Sequence, residues 1–347
     1  MSTALSATPE QASGPVPLSR VWSRGKVIAE DLTGENLSDV LQHNSDASAW
    51  WVLPRDPDYG AAELRGVAQA LDLDDLAIRD LLAEDRRAKF EAIGGARLVI
   101  TNYVSVDTRQ RAVTIHPISV IATDRALICL VAEGEFKPGR LLQQRAHDLA
   151  EGGVEAGLQL LLAAVIHTYE DAAQWLEDAA DSLSDVLFDQ ERALAKDEQL
   201  EAFRLRTALS QLRRSTEPMR TVMDDLVEEP LPAAKGKRIP AATSARQWRV
   251  LSERHTRAAN AADALREVLS SVFDTSLALA DLRMNLIMKQ LSGWAAIIAV
   301  PTLVTGFVGM NVSFPLDGTS TGFWVAMVIM VVSSVILYLG FRRRGWI

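Results

Sequence analysis

Two stretches near the C-terminus, Leu291 to Met310 and Gly322 to Phe341, run for 20 residues each without a charged side chain. At about 1.5 Å of rise per residue, roughly 20 helical residues match a hydrocarbon core of about 30 Å. No apolar run before Leu291 is long enough to do so. A soluble core helix is seldom uncharged on every side for that length, and two in tandem are rarer. The sequence therefore predicts two transmembrane helices behind a large water-soluble part.

Basic residues set the topology. Arg283 and Lys289 precede the first span, Arg342, Arg343 and Arg344 follow the second, and residues 311–321 between them hold no Lys or Arg. The positive-inside rule places both termini in the cytoplasm and the loop outside, as expected of a multi-pass protein of the inner (plasma) membrane. The first 19 residues are rich in Ser, Ala, Pro and Thr and lack the basic and apolar regions of a signal peptide, so a disordered tail is expected there.

Charge narrows the function. From Arg283 onward five basic residues face one acid, Asp317, a net of +4, so with −9 overall residues 1–282 carry −13. An acidic body argues against a nucleic-acid partner and suits a handler of cations. The single cysteine, Cys129, lies in the apolar run ALICLV and reads as a buried strand residue. His43, His116, His147, His167 and His255 show no paired spacing, so no zinc cage is expected. There is no phosphate-binding loop and no catalytic constellation. The chain is expected to be neither an enzyme nor the holder of a cofactor.

The fold class expected is an α+β cytoplasmic domain, a long helical stalk and two C-terminal transmembrane helices. Arg97 to Val106, Ile115 to Thr123 and Ala126 to Val131 are rich in β-branched residues and read as strands, while residues 61–83 read as helices. After about Lys137 the periodicity is helical only, consistent with an antiparallel helix pair turning near Ala195–Asp197. Thr243 to Met310 reads as one helix. The boundaries are 1–19 for the tail, 20–136 for the α/β domain and 137–240 for the helix pair and linker. They continue with 241–290 for the stalk, 291–310 and 322–341 for the spans, 311–321 for the outer loop and 342–347 for a basic tail. Two spans are too few to enclose a pore, so transport would require several copies around an axis.

The first span ends in Gly309-Met310-Asn311. With MNLIMKQLSGWAAIIAVPTLVTGFVGMN, the short loop, the second span and the tail RRRGWI, residues 285–347 resemble the CorA family of magnesium transporters, including the related ZntB zinc transporters. The resemblance implies a funnel-shaped homopentamer in the bilayer, taking up Mg²⁺, or Co²⁺ and Ni²⁺, with the ion as cargo and regulatory ligand. It makes Gly309, Met310 and Asn311 a selectivity filter. Neutral Asn311 carbonyls could contact first-shell waters of a hydrated Mg²⁺, whose octahedral shell is reluctant to leave. Asn285, Met288, Leu291 and Thr302 follow as a pore face, with Met288 and Leu291 as a hydrophobic constriction. Pro301 frees a carbonyl and can bend the helix.

Departures from the family pattern are Val308 where an aromatic residue is usual and Leu316 after Pro315 where an acid is common, leaving Asp317 to attract cations. Family members sense Mg²⁺ at acidic sites between subunits. Asp80, Asp274 and Glu253 are the candidates here, although the position usually opposite Asp80 falls near Val250 or Leu251, which cannot bind metal. Two other functions are compatible with the sequence: a ZntB-like Zn²⁺ transporter, and a membrane-anchored scaffold that transports nothing.

Overall fold

The computed structural model describes residues 18–23, 26–55, 64–69, 71–82, 87–131, 136–144, 146–190, 195–229, 241–310 and 319–347. Two compact units emerge, Met1–Ser182 with Leu200–Leu269, and Leu183–Gln199 with Ser270–Ile347.

The first unit is built on a seven-stranded sheet. Its strands are β1 (Leu18–Ser23), β2 (Lys26–Glu30), β3 (Ala47–Pro54), β4 (Lys89–Ile93), β5 (Ala96–Asp107), β6 (Ala112–Ala122) and β7 (Ala126–Val131), in the order β2-β1-β3-β7-β6-β5-β4. All neighbours are antiparallel except β3 and β7, which run parallel with Trp50 opposite Leu127 and Val52 opposite Cys129. Successive side chains of a strand point to opposite faces, and here both faces are covered. Trp51, Leu53, Ile128 and Leu130 join a cluster with Leu37 and Leu41 of α1 (Gly34–His43), Leu64 of α2 (64–69) and Leu81 of α3 (Asp75–Leu82). Trp50, Leu127 and Cys129 face the other way, into a larger cluster built with the long helices. Burial on both faces explains why ALICLV is an unbroken apolar run. It also pushes the Cys129 thiol pKa up, so the cysteine behaves as a small hydrophobe.

The helices of the larger cluster are α4 (Pro138–Gln144), α5 (Ala146–Gln190), α6 (Lys196–Glu228) and α7 (Ala241–Val308). Gly153 breaks the helical path of α5 with φ of 67°. One turn on, α5 lies close to β7: a Cβ on Gly157 would stand 2.9 Å from Leu127 Cδ2. Tyr169 of α5, Leu212 and Met219 of α6, and Trp248, Ala262 and Leu269 of α7 complete the layer. The first unit is therefore an α/β/α sandwich with the sheet in the middle.

Polar contacts fix α7 in this layer. Glu155 Oε1 accepts from Trp248 Nε1 at 3.1 Å and from the Ser244 hydroxyl. Arg254 donates through Nε to Glu170 Oε1 at 3.1 Å and through its terminal nitrogen to Oε2, a bidentate pair.

One boundary needs correction. The disordered tail was expected through Ser19, but β1 begins at Leu18, opposite Val52 of β3, and Ser19 Oγ bonds both Leu32 N and Leu32 O. Strands β1, β2, β3 and β4 add to the three that the sequence announces. The helix pair and the long helix appear as expected, with α7 running 68 residues, about 100 Å at 1.5 Å each.

Candidate ion path

The second unit contains the C-terminal part of α7 and α8 (Ser320–Arg343). Their apolar side chains are outside. Ile298 is 64% exposed, Leu303 74% and Trp324 65%, and no residue of α8 is buried. An apolar surface of this extent needs lipid or further protein around it, and both helices are long enough to cross a bilayer. Within this unit Trp294 of α7 and Tyr338 of α8 approach to 6.4 Å between ring centroids.

The end of α8 is defined by a turn. Gly345, at φ of 67°, donates to Arg342 O at 3.2 Å, and Trp346 N donates to Phe341 O at 2.9 Å. These are the paired bonds of a Schellman motif, which reverses the chain after a helix. Trp346 stacks on Phe341 and Ile347 reaches Gly293 of α7, where a Cβ would meet Ile347 Cδ1 at 3.1 Å.

All four candidate pore residues lie on α7 and are exposed: Asn285, Met288 at 53%, Leu291 at 62%, and Thr302. Helix geometry orders them. Leu291 and Gly309 are 18 residues apart, about five full turns, and Thr302 falls within about 20° of the same line. Met288 and Asn285 lie about 60° and 120° away, so in a straight helix they drift off that line. A helix supercoiled to about 3.5 residues per turn reduces the drift.

The Thr302 hydroxyl donates to Ile298 O at 3.0 Å, which leaves its oxygen lone pairs as acceptors on the surface. Thr305 likewise donates to Pro301 O at 2.9 Å. The helix ends with Gly309 N bonded to Thr305 O at 2.9 Å and Met310 N to Phe307 O at 3.2 Å. A Cβ at Gly309 would sit 3.1 Å from Thr305 O, so the tight end favours glycine. Met310 is 56% exposed. Asn311 and Asp317 lie outside the described residues.

The acids proposed as regulators are not gathered. Asp80 on α3 accepts from Lys89 Nζ at 3.1 Å, and the same ammonium meets Glu91 at 3.2 Å. Glu253 stands near Asp224, Glu228 and Arg249, and Asp274 is exposed. Among the described residues no three potential ligands form a metal-holding group. Sequence reasoning missed the Glu170–Arg254 and Glu155–Trp248 contacts, whose partners are 84 and 93 positions apart. Arg254 holds the Glu170 carboxyl below the usual carboxylate range, and Glu170 raises Arg254 in turn. His255, next to Arg254, is fully buried between α5 and α6. Burial and the Arg220 charge lower its pKa to about 4.

Residues 48–343 match the protein family described as CorA-like Mg2+ transporter protein. The cobalt/magnesium transport protein CorA of Methanocaldococcus jannaschii is 48% identical over 83 residues, a local match to 24% of this chain and 26% of that protein. Its complete structure covers 97% of this chain and 100% of its own, with a TM-score of 0.75 and 22% identity. The divalent cation transporter CmaX of Pseudomonas aeruginosa is 25% identical over 320 residues, 90% of this chain and 92% of that protein. A full-length CmaX structure covers 96% of this chain and 99% of its own, with a TM-score of 0.73 and 23% identity. The ZntB cytoplasmic domain of Vibrio parahaemolyticus shares the fold at 14% identity, with a TM-score of 0.53 over 67% of this chain and 88% of its own.

Proposed function

The chain belongs to the CorA-like Mg2+ transporter protein family, a family of divalent-cation transporters, and on that premise we propose that it carries Mg²⁺ into the cytoplasm through a pore lined by α7. The observation that carries this reading is the alignment of Leu291, Thr302 and Gly309 along the exposed apolar end of α7, whose helix ends at Val308, three positions before Asn311 in the sequence. Several copies surround the axis, five in our reading, because two apolar helices per chain cannot enclose water. At the outer end the Asn311 carbonyls touch the waters of a hydrated ion, and Asp317 draws cations to the mouth. Further in, the Thr302 hydroxyls offer acceptors. Met288 and Leu291 form a ring without polar groups, where water is thinnest, and Asn285 lies at the cytoplasmic mouth. Both termini face the cytoplasm of a cell whose inner membrane holds the protein.

The driving force is electrical as well as chemical. At about 2.3 kcal/mol per charge per 100 mV, a divalent ion entering a cell gains about 4.6 kcal/mol per 100 mV, so neither a catalytic site nor a cofactor is needed. For Mg²⁺ to regulate the protein through Asp80, Glu253 and Asp274, an incoming ion would have to displace the Lys89 ammonium that engages Asp80.

The experiment is flux into liposomes containing the purified chain, with the interior negative and Mg²⁺, Co²⁺, Ni²⁺ and Zn²⁺ offered in turn. Saturable Mg²⁺ entry blocked by cobalt hexammine, a mimic of the hydrated ion, is expected. Zn²⁺ flux that exceeds Mg²⁺ flux makes the chain ZntB-like. No flux of any ion leaves the membrane-anchored scaffold.

A further inference from the structure

A groove of about 1010 Å³ opens in the first unit where β6, α6, α7 and the segment before β4 meet. Five arginines border it, Arg87, Arg206, Arg213, Arg214 and Arg266, against one acid, Glu217. The surrounding body is strongly acidic, so this gathering runs against its charge. Helical spacing produces it: Arg206, Ser210, Arg213, Arg214 and Glu217 recur at steps of about three or four along one side of α6. Arg206 and Arg214 are about 12 Å apart along the axis.

Not all of this charge is compensated. Arg213 Nε lies 2.9 Å from Asp263, and its terminal nitrogen 3.8 Å from Glu217. Among the described residues Arg206, Arg214 and Arg266 form no ion pair, and all three are exposed. The remaining wall is of another kind. Ile115 of β6 and Pro218 of α6 offer half-buried apolar surface, with the Thr114 hydroxyl and the Gln211 amide beside them.

The two halves of the groove ask for a ligand with two halves. Guanidinium forks bind phosphate oxygens in pairs, and three uncompensated forks suit several phosphates better than one. An apolar wall edged by hydroxyl and amide groups suits a flat ring body with polar edges. The volume is at the upper end of the range for small-molecule sites, roughly 300–1,000 Å³. We infer that this groove binds a nucleoside polyphosphate. The presence of such a ligand at the groove in a cell rests on the cytoplasmic placement proposed above. The binding itself does not, so a failed binding test and a failed flux or topology test are separate results.

The test is equilibrium binding of ATP to the full chain in detergent, with EDTA present so that cation sites stay empty. Saturable binding that weakens with added salt is expected. Arg206→Ala with Arg214→Ala should weaken it by about tenfold or more, since each removes a charge-assisted bond. The two-lysine variant should recover part of the loss, and Arg204→Ala, on α6 but away from the groove, should change nothing. Should the double variant melt early, Arg266→Ala on α7 replaces it. Inorganic triphosphate should compete more weakly than ATP, and adenosine more weakly still. Absence of saturable ATP binding at millimolar concentration overturns the proposal, as does wild-type affinity in the arginine variants. Triphosphate binding as tightly as ATP overturns its nucleoside half.

Discussion

Helix α7 presents the same kind of residues to two different surroundings. In its first half Trp248, Ala262, Leu265 and Leu269 are buried under the sheet layer, and polar contacts from Glu155 and Glu170 reach it. In its second half Leu291, Ile298 and Leu303 are turned outward. Apolar composition alone is the same signal in both places. What separates them is the other side of the helix: Arg249, Glu253 and Arg257 alternate with the buried residues, whereas nothing charged stands between Lys289 and Asp317. A one-sided apolar stripe predicts a neighbour within the chain, and an all-round one predicts lipid or other copies.

The sharpest separation of the two regions comes from Asn311→Ala. It should abolish measurable Mg²⁺ flux while leaving assembly and the melting of the first unit unchanged. Normal flux through an assembled variant removes Asn311 from the filter.

On the buried side, Trp248→Ala deletes a fully buried indole and its bond to Glu155. A loss of about 3–5 kcal/mol is expected in denaturant unfolding of the first unit. If stability is unchanged, the first half of α7 is not anchored as described.

Acid should attack the same layer. His255 lies among Tyr169 of α5 and Arg220 and Asp224 of α6, with a folded pKa of about 4 against an ordinary 6.5. The unfolded imidazole takes up a proton below 6.5 while the folded one does not. Stability is therefore complete above 6.5 and declines as pH falls toward 4, by about 3 kcal/mol in all. Glu170, whose pKa is depressed by Arg254, adds a loss in the same direction at lower pH, as it falls through the folded value. His255→Leu should flatten the upper part of this profile, read from melting temperatures. An equally steep profile in the variant would assign the acid lability elsewhere.

Met288→Ser with Leu291→Ser probes the exposed side. Hydroxyls give water a partner in the constriction, and flux should rise severalfold with the oligomer intact, whereas side chains packed between helices would bury unsatisfied hydroxyls and loosen assembly. Unchanged flux or a dissociated oligomer rejects the gate. The smallest effect expected is the coupling of Glu170 and Arg254. Both side chains are about a third exposed, so a double-mutant cycle should return roughly 1 kcal/mol. A value near zero would mean that α5 and α7 are held by apolar packing alone.

Much of this molecule is legible in its sequence because its longest elements are its most periodic. The spans, α6, α7 and the hairpin of β5 and β6 announce themselves over ten or more residues. Strands β2 and β4, KVIAE and KFEAI, are short edge strands with charged residues on them, and they give no alternation long enough to read. The pairing of β3 with β7 joins residues some 77 positions apart, as in Ala49 with Ala126, and no local pattern encodes it. The same holds at the site. The line of Leu291, Thr302 and Gly309 follows from counting along one helix. The Asp80–Lys89 pair needed the fold, because it depends on how α3 meets the start of β4.

The turn at Gly345 bears on how the protein should be handled. Beyond that turn Ile347 is wedged against Gly293. A purification tag fused after Ile347 would begin at a packing contact, two residues from the level of Leu291. Tagging ahead of Leu18 avoids that contact, and comparing flux from the two fusions would show how much the Ile347 contact contributes to transport.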